Sequence, residues 1–289
     1  MAEGPALCGK ELAMHIQRIC AAYFSATGTT RRAALALAGE LARLSGVPCR
    51  TADFTLPAAR EQPLTFMQEE LVVFAVPVYA GRVPNVLLPY LARTEGGGAR
   101  AVCLTVYGNR AFDDALIELR DILTQAGLVP VAAAALVGEH AFSDTLARGR
   151  PDADDLAALG AFAREAARLC GALRPGERPA LTLPGTPRPY RGYYMPRDRA
   201  GTPVDIRRVK PRVSPACTGC GLCAAVCPMG SIDAHDIHTY TGICIKCGAC
   251  VKKCPHRARY YDDAGYLYHK QELEEGFGRR AEPVFFLAD

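Results

Sequence analysis

Eight cysteines between Cys217 and Cys254 fall into two matching runs. Residues 217–228 read CTGCGLCAAVCP and residues 244–255 read CIKCGACVKKCP, each C-x-x-C-x-x-C-x-x-x-C-P, offset by 27 positions. Repetition at a fixed offset marks one structural unit used twice. Three thiolates from one tight turn can clasp three irons of a cubane cluster, while the fourth cysteine reaches the neighbouring cluster. The proline that follows, Pro228 or Pro255, stops the local helix. Gly221 and Gly248 stand in equivalent places in the two runs. Zinc is the rival metal, but four-cysteine zinc sites pair one C-x-x-C with a distant second pair and do not require a third cysteine.

A second chemical signal lies near the start, in Ser25-Ala26-Thr27-Gly28-Thr29-Thr30. Small hydroxyl residues around one glycine let the backbone wrap an anion, which the amides and a following helix N-terminus stabilise. The run lacks the lysine of a nucleotide triphosphate loop and is not G-x-G-x-x-G, and no motif for NAD(P)H is visible elsewhere. A monophosphate is the ligand it suits.

Both runs carry resemblances. Ser25 through Thr30 matches the Ser/Thr-x-Thr-Gly-x-Thr phosphate loop of flavodoxins, and the first 171 residues resemble that family. The resemblance implies FMN, with the isoalloxazine ring held by Pro77, Val78, Tyr79, Ala80 and Gly81 after the third strand. Tyr107, Gly108 and Asn109 after the fourth strand complete that expected set, and the Ala80–Gly81 peptide is expected to respond to flavin reduction. Residues 217–255 resemble a bacterial-type ferredoxin with two 4Fe-4S clusters. That resemblance implies Cys217, Cys220, Cys223 and Cys254 at one cluster, and Cys244, Cys247, Cys250 and Cys227 at the other. The whole chain resembles the flavodoxin-ferredoxin fusion proteins of anaerobic bacteria.

The elements that must position these groups are legible as alternation. Apolar runs at 19–24, 47–54, 71–76, 99–107 and 129–137 read as strands, and 31–44, 85–94, 113–126 and 153–173 read as helices. Continuous apolar strands with helices between them predict an α/β fold with a five-stranded, doubly wound parallel sheet. In such sheets ligands sit at the carboxyl ends of the strands, where both ring loops and the phosphate loop fall. A small α+β dicluster domain is expected after it. Asp152 is a candidate helix cap, and His140 alone after the fifth strand reads as structural. No Ser-His-Asp or Cys-His constellation can be assembled, so no catalytic residue is assigned.

Composition sets the outer limits. The 289 residues are 49% hydrophobic and 22% charged, enough for a sizeable core in one or two domains and incompatible with general disorder. Thirteen cysteines, eight of them clustered, exclude a disulfide framework and favour a reducing compartment. Cys8, Cys20, Cys49, Cys103 and Cys170 read as small hydrophobes. The longest apolar stretch, 71–80, falls short of the roughly 18 residues of a membrane span, and residues 1–16 lack the pattern of a secretory signal. A cytoplasmic protein is expected.

Residues 172–215 hold ten basic against three acidic residues and nine of the 21 prolines. This divides the chain into 1–171, a linker at 172–214, and 215–289 with an aromatic extension. As a flexible coil the linker would span roughly 35 to 40 Å. Its basic excess has no folded nucleic-acid motif around it. Tyr190, Tyr193 and Tyr194, and the aromatic tail after Pro255, raise the prospect of docking on the first domain. The expected function is electron transfer between redox partner proteins, each cluster passing one electron and FMN one or two. An FMN-dependent reductase of a small molecule such as a quinone, fed by the clusters, is the alternative.

Overall fold

A computed structural model describes residues 15–289, so Cys8 lies outside the described part. The chain begins with β1 (Arg18–Tyr23), α1 (Thr29–Ser45) and β2 (Cys49–Asp53), followed by β3 (Glu70–Pro77). The helix expected at 85–94 is only a 3-10 turn, Asn85–Leu87, and one turn of helix, α2 (Leu88–Leu91). Pro89 stands in the first turn of α2 and cannot continue a longer helix through itself. Then come β4 (Arg100–Tyr107), α3 (Ala115–Gln125), β5 (Val129–Val137) and α4 (Ala153–Ala172). Asp152 caps α4 in a reciprocal capping box with Asp155.

Strands β1 to β5 are parallel in the order β2-β1-β3-β4-β5, the order of the flavodoxin-like doubly wound fold. β4 and β5 are buried along their whole length, and so is β3 up to Pro77, because helices cover both faces. α1 and α4 supply Leu37, Leu41, Leu159 and Phe162 to one face. α3 and the aromatic residues Phe24, Phe54, Phe74 and Tyr90 fill the other.

The second unit holds β6 (Arg212–Val213), two one-turn helices α5 (Leu222–Ala225) and α6 (Ala249–Lys252), and β7 (Arg259–Tyr260) paired with β6. Helix α7 (Ala264–Gly276) follows, capped by Asp263. The duplication is visible in the backbone: Gly221 opens α5 at φ 73° and Gly248 opens α6 at φ 74°, left-handed values that favour glycine.

Two expectations need correction. The sheet has six strands, not five: β8 (Val284–Leu287), at the end of the chain, pairs antiparallel with the outer edge of β5. β5 is rich in alanine and would otherwise be an apolar edge, and Phe285 reaches past it to stack on Phe162 with centroids 4.9 Å apart. The aromatic tail therefore completes the first unit's sheet.

The segment at 172–214 is extended but does not behave as a free coil. Leu181 and Leu183 are buried in the first unit's core. The Asp114 carboxylate accepts from the amides of Thr186 (2.9 Å) and Arg191 (2.8 Å), and Tyr190 donates to Asp121 at 2.7 Å. Arg82, held by Glu118 at 2.7 Å, lies over the rings of Tyr190 and Tyr193 at 4.6 and 5.0 Å. These contacts lay the segment against α3 and the loop after β3. A random-coil span does not describe it.

Phe285→Ala is expected to lower stability by about 2 kcal/mol, from the lost half-buried ring and its stacking. Phe285→Leu should recover most of that loss in urea unfolding followed by far-UV circular dichroism.

Candidate functional site

One cavity of about 540 Å³ opens at the carboxyl ends of the strands. Its floor is the loop after β1, and its far wall is made by the second unit. Gly28 stands at φ 107° as the N-cap of α1, so the amides that follow it are presented at the positive end of a 17-residue helix. Ala26, Thr27, Thr29 and Thr30 line the cavity there. Ser25 does not line it: its hydroxyl accepts from the Arg31 amide at 2.9 Å, and its own amide donates to Thr55 at 2.9 Å. Ser25 thus pins the loop from beneath.

The loop after β3 contributes Pro77, Val78, Tyr79, Ala80 and Gly81. Ala80 and Gly81 both have positive φ, 52° and 79°, and a Cβ on Gly81 would run into the Asp113 carboxylate. The Ala80 carbonyl accepts from the Tyr194 amide at 2.8 Å, so the linker holds this loop directly. Of the loop after β4, Tyr107 and Gly108 line the cavity, although the Tyr107 ring is buried against Phe112 and is no free stacking surface.

Asn109 departs from expectation. Its buried side chain donates to the carbonyls of Phe277 (2.5 Å) and Arg279 (2.8 Å) and accepts from the Ala281 amide at 3.1 Å. It tethers the C-terminal segment rather than facing the cavity. An asparagine after a strand looks the same in sequence whether it serves a ligand or a distant backbone.

Sequence reasoning missed the other half of the lining. The linker supplies Tyr193 to Pro196 and Val204 to Arg207, and the second unit supplies Ile243 to Cys247 with His269 and Leu273 from α7. The only sequence signal for the linker residues was their tyrosines. His140, read as structural, also lines the cavity. Its Nδ1 accepts from the Phe142 amide at 3.1 Å, which puts the ring proton on Nε2. Burial holds its pKa down at about 4, and His269, Lys252 and Arg110 act in the same direction.

The eight cysteines form two groups. Cys217, Cys220, Cys223 and Cys254 line one small hollow. Cys244 and Cys227 lie close enough to Cys247 to raise its thiol electrostatically, and Cys247, Cys244 and Cys227 do the same to Cys250. Cys244 and Cys247 line the large cavity, and none of the first group does. As free thiols Cys247 and Cys250 are pushed up to about 12 by burial, so their ionisation calls for bound metal.

Donors surround both groups. The fourth cysteine of each run accepts from the amide four residues on, Ser231 to Cys227 at 3.4 Å and Ala258 to Cys254 at 3.3 Å. Burial opposes ionisation of Cys254, but the amides of Ala258, His256 and Arg259 outweigh it and set that thiol below its ordinary value. Of the five buried side-chain polar atoms without a partner among the described residues, two lie beside the sulfurs, Arg259 Nε near the first group and Tyr261 Oη near the second. Orphaned donors beside clustered sulfurs fit an anionic iron–sulfur cluster at each place. Among the described residues no three ligand side chains converge as they would on a single metal ion.

The units are locked together next to the cavity. Lys252 donates to the Ser143 carbonyl at 2.7 Å and pairs with Glu139, and a Cβ on Gly248 would meet the Ala141 carbonyl oxygen at 2.6 Å. Of the isolated cysteines within the described part, Cys20, Cys103 and Cys170 are buried, their thiols pushed up to about 12 by burial, while Cys49 is exposed.

Because His140 is neutral when folded down to about pH 4, the unfolded chain binds its proton first as pH falls below 6.5. Its contribution is to lose stability as pH drops from 6.5 toward 4, by up to about 3 kcal/mol. His140→Asn should flatten that fall relative to the parent when melting temperatures are compared across this range.

The family model of the 4Fe-4S dicluster domain matches residues 216–259. No curated protein matches the chain. Among solved structures, a short-chain flavodoxin associated with a non-canonical PDU bacterial microcompartment aligns at 17% identity and a TM-score of 0.39, covering 54% of this chain and 100% of its own. A flavodoxin from the domain Archaea aligns at 12% and 0.37, covering 53% and 98%. An NADH:FMN oxidoreductase in its apo form aligns at 21% and 0.39, covering 56% and 94%. At these values the alignments are likenesses in outline alone. The strand order and the matched domain together make the chain a flavodoxin-like α/β unit fused to a 4Fe-4S dicluster domain.

Proposed function

We propose that this chain is an electron-transfer protein that moves single electrons between two 4Fe-4S clusters and FMN, linking one-electron carriers to a two-electron partner. The observation that carries the reading is the shared cavity, lined at one end by Thr27, Thr29 and Thr30 and at the other by Cys244 and Cys247. When bound, the flavin supplies one- or two-electron chemistry and the clusters one-electron chemistry. The residues of the chain hold these groups near one another. The threonines and the α1 amides take the phosphate, the 77–81 loop with Gly108 borders the ring, and the linker closes over it through Tyr193 and Tyr194. Cys244, Cys247, Cys250 and Cys227 take the inner cluster, and Cys217, Cys220, Cys223 and Cys254 the outer one.

The surroundings favour a shuttle over a small-molecule reductase. The ring end is walled by the linker, α7 and the second unit, which leaves electrons a route through sulfur ligands rather than an open substrate face. No helix among the described residues is long and apolar enough to cross a membrane. Ligating thiolates suit a reducing compartment such as the cytoplasm. Donor and acceptor are redox proteins in this reading.

Anaerobic purification should yield about eight irons and one FMN per chain, as two four-iron clusters require. Zinc in their place would overturn the assignment. In stopped-flow mixing, reduced protein should be reoxidised rapidly only by a protein carrier. A small molecule that reoxidises the flavin at a saturable rate, with no protein partner, would sink the shuttle reading.

Thr27→Val is expected to weaken FMN binding about tenfold, the loss of one hydrogen bond to a charged group. Riboflavin, which lacks the phosphate, should bind the variant and the parent alike in a fluorescence-quenching titration.

A further inference from the structure

The two halves of the dicluster unit share their cysteine spacing and the amide that donates to the fourth cysteine, but differ in kind five residues past that cysteine. There the first half has Ile232 and the second, 27 positions on, has Arg259. Both are buried, at 5% and 3% exposure, so the same interior position is apolar in one half and cationic in the other. The Arg259 guanidinium donates to Cys223 Sγ at 3.2 Å, to Tyr240 Oη at 2.9 Å, and to the Ile237 carbonyl. Its Nε is buried without a partner. Its electrostatic partners are Tyr240 and the sulfurs of Cys223 and Cys250, and no carboxylate pairs with it among the described residues.

An unpaired buried guanidinium is costly unless a nearby anion compensates it. Here the available anion is the outer cysteine group, two of whose members Arg259 touches, whereas Cys250 of the inner group feels its charge without a hydrogen bond from it. The side chain reaches Cys223, and its amide acts on Cys254. Reduction of a four-iron cluster adds one negative charge, and a fixed cation beside it favours the reduced form. Ile232, at the matching place, can give nothing equivalent.

We propose that Arg259 makes the two clusters unequal, raising the potential of the outer one so that a single electron shared by the pair resides there. One electron leaves the inner cluster, which is oxidised, and reduces the outer cluster, and no proton moves. The electron is thereby held beside Cys220, an exposed cysteine, and away from the flavin cavity. Arg259 acts as a positioning residue through hydrogen bonding and charge on sulfur. The inference rests on the reading that the eight cysteines hold two four-iron clusters.

The test is an anaerobic redox titration of the whole holoprotein followed by electron paramagnetic resonance, with iron and sulfide counted in parent, Arg259→Gln and Arg259→Lys. In the Gln variant one cluster should become harder to reduce by at least tenfold, a shift of 59 mV for one electron, with the other cluster moving less. The Lys variant keeps the charge but cannot span Tyr240, Ile237 and Cys223 together, and should shift the same cluster the same way by about threefold. Unchanged midpoints in an iron-loaded Gln variant overturn the proposal. If Gln fails to load iron, the Lys variant decides, and parental midpoints there reduce Arg259 to a structural role. A parent without four-iron clusters fails the underlying reading instead, and the iron count separates that outcome from the others.

Discussion

The pairing of Val284–Leu287 with β5 ties the end of the chain back to the sheet from which it began, and the rest of the arrangement depends on it. The dicluster unit is thereby inserted between two segments fixed to the same scaffold. Residues 181–194 run along the first unit before it, and Asn109 and β8 grip the chain after it. Electron transfer demands short, reproducible distances between redox groups. A unit held at both ends loses less freedom at each encounter than one on a free tether, whose ends meet only at a finite effective concentration.

The second unit is seated by apolar packing, Ala249 in and Ile245 against the first unit's core and Phe142 against Tyr266 at 4.7 Å, and by local polar contacts. Arg60 donates to the Pro228 carbonyl beside Cys227, Lys252 at the end of α6 reaches Glu139 and Ser143, and Glu274 of α7 accepts from Ser143 and from Thr145 at 3.1 Å. Each individual pair contributes modestly. They fall at two places on the first unit, Arg60 and the loop 139–145, which fixes orientation as hydrophobic packing alone does not. Arg82 shows the same economy: Glu118 positions its guanidinium, and the flat face then seats Tyr190 and Tyr193.

Much of this was legible in the sequence where a local rule governs. The strands at 129–137 and 71–76, the cap at Asp152 and the two cysteine runs each follow from periodicity, capping chemistry or ligand spacing. What escaped depended on distant partners. Val284–Leu287 is four apolar residues that could end a domain anywhere, and only an open edge on β5 makes them a strand. Proline density at 172–215 correctly excludes regular structure, yet it says nothing of whether an extended segment is solvated or laid against Asp114 and Asp121. Asn109 fell in the right loop and turned the wrong way, because its hydrogen-bonding capacity matched three backbone groups nearly 170 residues later.

Two of the groups that line the junction are held in their neutral forms. Tyr79 faces the cavity away from bulk solvent, and burial, with Cys247 and Cys244 nearby, raises its phenol well above the ordinary range. His140 is held neutral by burial as well. Neither group can take up or release a proton near neutral pH to offset charge arriving next to it. Of the cations here, Arg110 pairs with Asp113 and Arg207 with Asp205 at 2.8 Å, whereas Arg259, buried at the outer cysteine group, has no carboxylate partner among the described residues. Permanent charges respond instantly and identically in every cycle, whereas a titrating group would couple each electron to a slower proton. Under the proposed electron-transfer function, a neutral tyrosine and histidine at the cavity and an unpaired cation at the far group of sulfurs would let electrons pass without proton uptake by these two side chains.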